Sequence, residues 1–368
     1  MLYNQIKGIL PQFPFEGKFV SATELTSGNI NNTYRLVYKK GEKNILYTLQ
    51  HINPYVFREP EKVMENIMNV TEHLKETLVR EGVDPERRVL QMIRTKNGDI
   101  MYKDPSGFYW RAYYYIDDAT PYNSVEKPEH FYEVGRIFGE FQKLLCDFPV
   151  ENLHDTIPDF HNTTRRFYNF VAAVSEDKAG RVEEVDNEIE FFFDRRRMMG
   201  EIVKKLKKGE IATRVTHNDT KINNVLIDDE TDKAICVIDL DTVMPGSALY
   251  DFGDAIRFGA STAAEDEEDL SKISLDMNLF RQFTAGFLSE VRGFLPDEEI
   301  RLLPLGVKVI TCELAMRFLT DYIDGDLYFK VRSPEHNLIR AHAQMKLLTD
   351  IESKSEEMDK VIEELLSK

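Results

Sequence analysis

His217, Asp219 and Asn224 follow one another with the spacing H-x-D-x-x-x-x-N, and Asp239 lies a little further on in the strand-like run ICVIDLD. These residue types at these spacings suit one kind of chemistry. A first carboxylate orients an attacking hydroxyl and accepts its proton, while an amide oxygen and a second carboxylate hold Mg²⁺ against nucleotide phosphates, the division of labour of phosphoryl transfer. Asp219 fits the first role. Asn224 and Asp239 fit the metal-holding roles, because a five-residue loop returns the Asn beside the Asp, and a hairpin of VLID and CVIDL turning across Asp232-Lys233 brings Asp239 to the same end. Asp241, two residues further along an expected strand, points to the same face as Asp239 and can support metal or acceptor. His217 braces backbone in such loops, and Asp251 is expected to fix the loop rather than touch metal.

The elements that must position this set fall into two groups. FVSATEL, NTYRLVYKK, NILYTLQHI and FYWRAYYYI alternate with a period near two, are rich in β-branched and aromatic residues, and are separated by turn formers such as Gly41, Asn97-Gly98 and Pro105-Ser106-Gly107. They predict an antiparallel sheet. One helix interrupts it over Glu61 to Arg80, where Val63, Ile67, Val70 and Leu74 recur at steps of three and four. From Pro128 the pattern turns helical, over 128–147, 187–207, 276–293, 308–324 and 335–366, broken by the β-rich island at 213–241. The expected fold class is therefore α+β and bilobal, with a β-rich nucleotide-binding lobe over 1–116 and a helical lobe over 117–368 that carries the acceptor, joined by a single crossing near 114–120. The acidic run Glu265-Asp266-Glu267-Glu268-Asp269 reads as a solvated helix start, since carboxylates in a first turn complement the helix dipole.

The H-x-D-x-x-x-x-N loop, the I-D strand end and the further Asp at 251 resemble the pattern of the aminoglycoside phosphotransferase and choline kinase superfamily, whose fold is protein-kinase-like. THNDTKINN, IDLDTVMPGSALYDFGDAIRFGAST, MRFLTDYIDGDLYF and PEHNLIR are similar, within that superfamily, to the N-acetylhexosamine 1-kinases, and the similarity runs over nearly the whole chain. The resemblance implies ATP as co-substrate, Mg²⁺ as cofactor, and phosphorylation of the anomeric hydroxyl of N-acetylglucosamine or N-acetylgalactosamine. It also implies that Arg317 and Tyr328 contact the sugar, with Phe258 nearby as an apolar wall. Arg offers donors to hydroxyls or an acetamide oxygen, and Tyr a flat face for the sugar's C–H surface. An ion pair from Arg317 to Asp321, on the same helical face, is the competing reading. A kinase of the same fold acting on an aminoglycoside, choline or homoserine is the alternative function, and a pseudokinase binding module a further one.

The nucleotide side is read from the first third of the chain. Ser27-Gly28-Asn29-Ile30-Asn31-Asn32-Thr33 lies between two strands and would turn over the triphosphate, giving Gly28, Asn29, Asn31 and Thr33 as candidates. The resembled family has His where Asn29 stands; Asn can still donate to a phosphate or sugar oxygen. Kinase-like proteins place a Lys or Arg in the strand ILYTLQHI at what looks like Gln50. Either an uncharged donor serves here, or the cation comes from elsewhere, or Gln50 is a sheet residue without a ligand. Arg111 to Asp118, RAYYYIDD, is the expected hinge, whose backbone would pair with adenine while Tyr115 and Ile116 pack near the ring.

Composition narrows the partners. The chain has 368 residues, 42% hydrophobic and 30% charged, with 19 Gly and 14 Pro, which excludes disordered and collagen-like classes. A net charge of −17 opposes broad contact with nucleic acid or an anionic membrane, yet is compatible with a small anionic substrate if Mg²⁺ and a few cations are focused in one cleft. Cys146, Cys236 and Cys312 are far apart, odd in number and set in apolar runs, so they read as buried thiols in a reducing compartment. MLYNQIKGIL lacks a basic n-region and a long apolar stretch, and the expected location is cytoplasmic.

Overall fold

The computed structural model describes residues 6–25, 31–54 and 56–367. The chain forms two compact units: the first takes in 1–121, 147–157 and 225–244, the second 122–146, 158–224 and 245–368. The hairpin of the β-rich island thus clusters with the first unit, and the chain passes between the units at several points rather than at one crossing.

In the first unit, strands β1 (Lys18–Leu25), β2 (Asn32–Lys40) and β3 (Lys43–Ile52) precede helix α1 (Pro60–Arg80), and β4 (Met92–Ile93), β5 (Tyr102–Lys103) and β6 (Tyr109–Tyr114) follow it. They make an antiparallel sheet in the order β1-β2-β3-β6-β4, with β5 also paired to β6. Alternation gives this sheet two different faces. Tyr34, Leu36, Tyr47, Leu49, Trp110 and Ala112 point into one apolar core with Ile6 and Phe13. The residues between them, Thr33, Arg35, Thr48, Gln50, Arg111 and Tyr113, line the opposite face. Register aligns them in rows: Thr33 opposes Gln50, which opposes Arg111, and Arg35 opposes Thr48, which opposes Tyr113. A second sheet of the same unit has the order β10-β9-β7, from β7 (Ala119–Pro121), β9 (Val225–Asp228) and β10 (Ala234–Val237). Arg87 anchors the β9–β10 hairpin: its Nη1 donates to Asp228 Oδ2 at 2.7 Å. With the Thr231 hydroxyl and then Arg87 donating to it, the Asp228 carboxyl is lowered to about 2.

The second unit contains α2 (Pro128–Leu144), α3 (Thr163–Glu176), α4 (Asp186–Met199), α5 (Glu201–Lys208), α6 (Ala248–Gly259), α7 (Met277–Val291), α8 (Asp297–Ile300), α9 (Leu303–Asp324), α10 (His336–Ser353) and α11 (Ser355–Leu366). Strand β8 (Arg214–Thr216) pairs with β11 (Met244–Gly246). Helix α9 is the axis of the core: Cys312, Ala315, Met316 and Leu319 pack with Phe170, Phe192 and Leu348. Helices α2 and α7 touch backbone to backbone, because a Cβ at Gly286 would lie 2.0 Å from the Tyr132 carbonyl oxygen and one at Gly135 would lie 2.2 Å from that of Phe283.

The expected helix over 187–207 is two helices, divided where the Thr163 hydroxyl donates to the Met199 carbonyl and Gly200 ends α4. Likewise 335–366 divides at Lys354, whose ammonium turns back to Asp350 (2.8 Å) and the Leu275 carbonyl (2.8 Å). The acidic run does not open a helix. Glu265 pairs with the buried Arg257 at 2.9 Å, Asp266 pairs with Arg332 and His336, and Asp269 caps only the 3₁₀ turn Leu270–Lys272. Partners distant in sequence outcompete the local dipole. Cys236 and Cys312 are buried and Cys146 is exposed, correcting the expectation for the last; burial pushes the Cys236 thiol up to about 12.

Candidate active site

The H-x-D-x-x-x-x-N loop leaves β8 and is tied down by the first turns of α6. Asp251 Oδ2 accepts from the His217 N–H at 2.9 Å and from Gln142 Nε2 at 2.8 Å, and its Oδ1 accepts from the Asn218 N–H at 2.8 Å. The Thr220 hydroxyl donates to the Asp251 carbonyl at 2.6 Å, and Asp254 accepts from the Thr220 N–H at 3.0 Å. These bonds hold Asn218 in the left-handed region at φ 65°. Burial outweighs those donors and lifts the Asp251 carboxyl above the ordinary carboxylate value. His217 is fully buried, packs edge-on to Phe138 at 5.6 Å, and takes the Asp219 N–H on Nδ1 at 3.3 Å.

The five-residue loop returns Asn224 to Asp219. Asn224 Nδ2 donates to the Asp219 carbonyl at 2.7 Å and to Asp219 Oδ2 at 3.0 Å, while Lys221 Nζ lies 2.8 Å from Asp219 Oδ1. Burial works against the Asp219 charge, but Lys221, His217 and Asn224 outweigh it and hold the carboxyl below its ordinary value of 3.8. The Lys221 ammonium is held above its usual range in return: burial would lower it, and Asp219, Asp254 and Glu265 more than compensate. Lys221 was missed in the sequence, where the only signal was a Lys two residues after the Asp.

This geometry gives a pH prediction. With Asp219 as the base, its protonation would cost activity only as pH falls below the ordinary carboxylate range. Removing the ammonium in Lys221→Met removes the largest stabiliser of the anion, so the acid limb of the kcat/KM profile moves to higher pH. An unmoved limb in a folded variant would detach Lys221 from Asp219.

In the first unit the strand ends at Val237, and Asp239 turns the chain at φ 60°, ψ 56° into the 3₁₀ turn Leu240–Thr242. Asp241 therefore does not follow Asp239 along a strand face. It is 4% exposed, and its two oxygens receive Arg111 Nη1 and Nη2, the latter at 3.0 Å, together with Asn31 Nδ2 at 2.6 Å. The expected strand-face alignment with Asp239 is not formed, and the carboxylate is committed within the unit as structural support. Arg111 Nε donates to Gln50 Oε1 at 2.8 Å and Gln50 Nε2 to the Thr33 hydroxyl at 2.9 Å. Gln50 is thus a link in a polar row that ends on the Arg111 guanidinium, one strand away on β6. Gly28 and Asn29 lie outside the described residues.

At the expected hinge the Tyr115 N–H donates to the Leu46 carbonyl at 3.1 Å, and the Arg35 guanidinium lies 5.8 Å from the Tyr115 ring. Ile116 packs against Ala119, Leu226 and Cys236.

On the acceptor side, Arg317 does not pair with Asp321. Asp321 instead accepts the N–H groups of Leu327 (2.9 Å), Tyr328 (2.7 Å) and Phe329 (2.9 Å), shaping the loop that follows α9. The Arg317 guanidinium lies 5.5–5.6 Å from the rings of Phe160, Tyr328 and Phe329, and Tyr328 is 63% exposed. Beneath it the buried Glu313 accepts from His161 Nδ1 at 3.0 Å and has Arg166 at 3.9 Å and Arg317 at 4.0 Å. Burial and then Arg317 lower the Arg166 guanidinium, while Glu313, Tyr328 and Asp159 act the other way. Phe258 lies 5.9 Å from the Arg257 guanidinium.

Among the described residues no group of three or more His, Cys, Asp or Glu is arranged to hold a metal, and no helix is long and apolar enough to cross a membrane. A Mg²⁺ bound on phosphates needs fewer protein ligands; within the second unit the NH₂ of Asn224 is turned to Asp219, which directs its amide oxygen away, and within the first unit Asp239 offers a hard carboxylate.

The sequence model described as the phosphotransferase enzyme family matches residues 21–274. Among solved structures, a spectinomycin phosphotransferase determined with ADP and spectinomycin is 13% identical at a TM-score of 0.58, covering 96% of this chain and 98% of that one. A choline kinase from Cryptosporidium parvum Iowa II is 15% identical at a TM-score of 0.57, covering 98% and 97%, and a Plasmodium vivax ethanolamine kinase is 14% identical at 0.55, covering 88% and 82%. The fold is the kinase-like α+β fold of these proteins.

Proposed function

We propose that this chain, which belongs to the phosphotransferase enzyme family, is a small-molecule kinase that transfers the γ-phosphoryl group of ATP to the anomeric hydroxyl of an N-acetylhexosamine. The observation that carries the reading is Asp219, kept ionised by Lys221 and Asn224 on a loop that Asp251 and Asp254 fasten. Asp219 aligns the 1-hydroxyl and takes its proton as the new O–P bond forms and the bond to the β-phosphate oxygen breaks, releasing ADP. Asn224 and Asp239 would supply oxygens to Mg²⁺, which neutralises charge on the phosphates when bound. Asn31, Thr33 and Gln50 are assigned to the nucleotide side, with the Tyr115–Ile116 backbone at the base.

The acceptor assignment rests on the Arg317 cluster. Cationic amino alcohols, the alternative acceptors, would meet the like charges of Arg317 and Arg166, both within 4.0 Å of the buried Glu313. A neutral sugar meets donors for its oxygens and the exposed Tyr328 ring for its C–H face. Arg317→Ala should therefore raise the sugar KM and leave the ATP KM almost unchanged. Loss of a hydrogen bond to a charged group costs roughly 1.5–3 kcal/mol, or about 10- to 150-fold in affinity. Calorimetry on sugar binding checks this; lower thermal stability with unchanged sugar affinity would return Arg317 to a purely structural role. ATP consumption across N-acetylhexosamines, aminoglycosides, choline, ethanolamine and homoserine tests the reading as a whole. Turnover with a cationic acceptor and none with the sugars would replace it by the alternative.

A further inference from the structure

We infer that Arg111 is a positioning residue that fastens the Asp239 turn to the polar face of the sheet, taking over from β6 the cationic place that Gln50 leaves on β3. The inference rests on the phosphoryl-transfer reading. Three strands place Thr33, Gln50 and Arg111 in one row, and the bonds run along it: Gln50 donates to Thr33, Arg111 to Gln50, and both Arg111 Nη atoms to Asp241. Arg111 and Asp241 are each 4% exposed, so neither side chain is available to solvent in this arrangement. A second cation at position 50 would face Arg111 across the strand pair. A neutral amide, accepting on Oε1 and donating on Nε2, is the group that completes the row.

The consequence falls on Asp239. A non-glycine residue in the left-handed region is strained and persists only where its surroundings fix it. Here the turn is gripped twice on the side that leaves Asp239: Arg111 holds Asp241 two residues on, and Asn66 of α1 donates to the Val243 carbonyl at 2.9 Å. The same Asp241 carboxylate takes Asn31 Nδ2, and Asn31 Oδ1 accepts the Asn53 N–H at 3.0 Å, so the entry to β2 is fixed to the same point. Asp239 and Asp241 both act on the Arg111 charge, so the guanidinium is tied to the turn by more than its bonds to Asp241. A guanidinium fork can serve both Asp241 oxygens and Gln50 at once; an ammonium cannot.

The test compares wild type with Arg111→Lys, Asp241→Asn and the paired Arg111→Gln/Asp241→Asn, which exchanges the ion pair for an amide pair and guards against misfolding from a lone buried charge. Mg²⁺-dependent ATP binding is measured by calorimetry, and the Mg²⁺ needed for half-maximal turnover by kinetics. The expected result is binding weakened at least about tenfold and a raised Mg²⁺ requirement in folded variants, with the acceptor KM within about twofold of wild type. Folded variants with wild-type ATP affinity and Mg²⁺ dependence would overturn the inference, as would loss of folding in all three, which would assign the pair to stability alone. A wild-type protein that binds no Mg²⁺-ATP would instead fail the functional reading itself.

Discussion

Asp219→Asn is expected to lower kcat by roughly 10²–10⁴-fold, the usual contribution of a positioned acid or base, with nucleotide and sugar binding nearly intact. The asparagine keeps the size of the side chain and can still bond Asn224, and Thr220, Asp251 and Asp254 keep the loop in place. What it loses is the charge that Lys221 faces at 2.8 Å and the ability to take a proton. Single-turnover kinetics isolate the chemical step, and calorimetry reports binding. Near-normal turnover in a folded variant would remove Asp219 from the mechanism.

Asp239→Ala is expected to abolish measurable turnover, and excess Mg²⁺ is expected to restore little of it. A lost metal-binding carboxylate also misplaces the γ-phosphate, and alignment of the reacting groups is worth about 7–11 kcal/mol in well-oriented reactions. The alanine would also occupy a left-handed backbone position, φ 60°, that suits it poorly. Asp239→Asn separates the two causes, since asparagine tolerates that conformation and lacks the charge. If Asp239→Asn turns over normally once Mg²⁺ is raised, Asp239 is no more than an aid to metal affinity.

Local periodicity made most of the fold legible. Period-two runs gave the four long strands, and the steps Val63, Ile67, Val70 and Leu74 gave α1. The loop was legible for the same reason, because the Asp219–Asn224 contact is only five residues long. What escaped depends on distant partners. Arg111 looked like the first residue of an aromatic hinge, since the carboxylate that defines it lies 130 positions away. Asp241 was assigned to a strand face because nothing local announced the turn at Asp239. Glu313, His161 and Arg166 were passed over for a similar reason: His161 meets Glu313 across 152 residues. The acidic run misled because Arg257, Arg332 and His336 claim its carboxylates more strongly than a helix dipole could.

The most direct test of the account is to identify the product of wild-type protein incubated with Mg²⁺-ATP and N-acetylglucosamine or N-acetylgalactosamine, using ³¹P NMR. Transfer to the 1-hydroxyl gives sugar-dependent formation of ADP together with a phosphate ester coupled to the anomeric proton. Phosphate on a different hydroxyl, or no sugar-dependent ADP at all while an amino alcohol is phosphorylated, would contradict it.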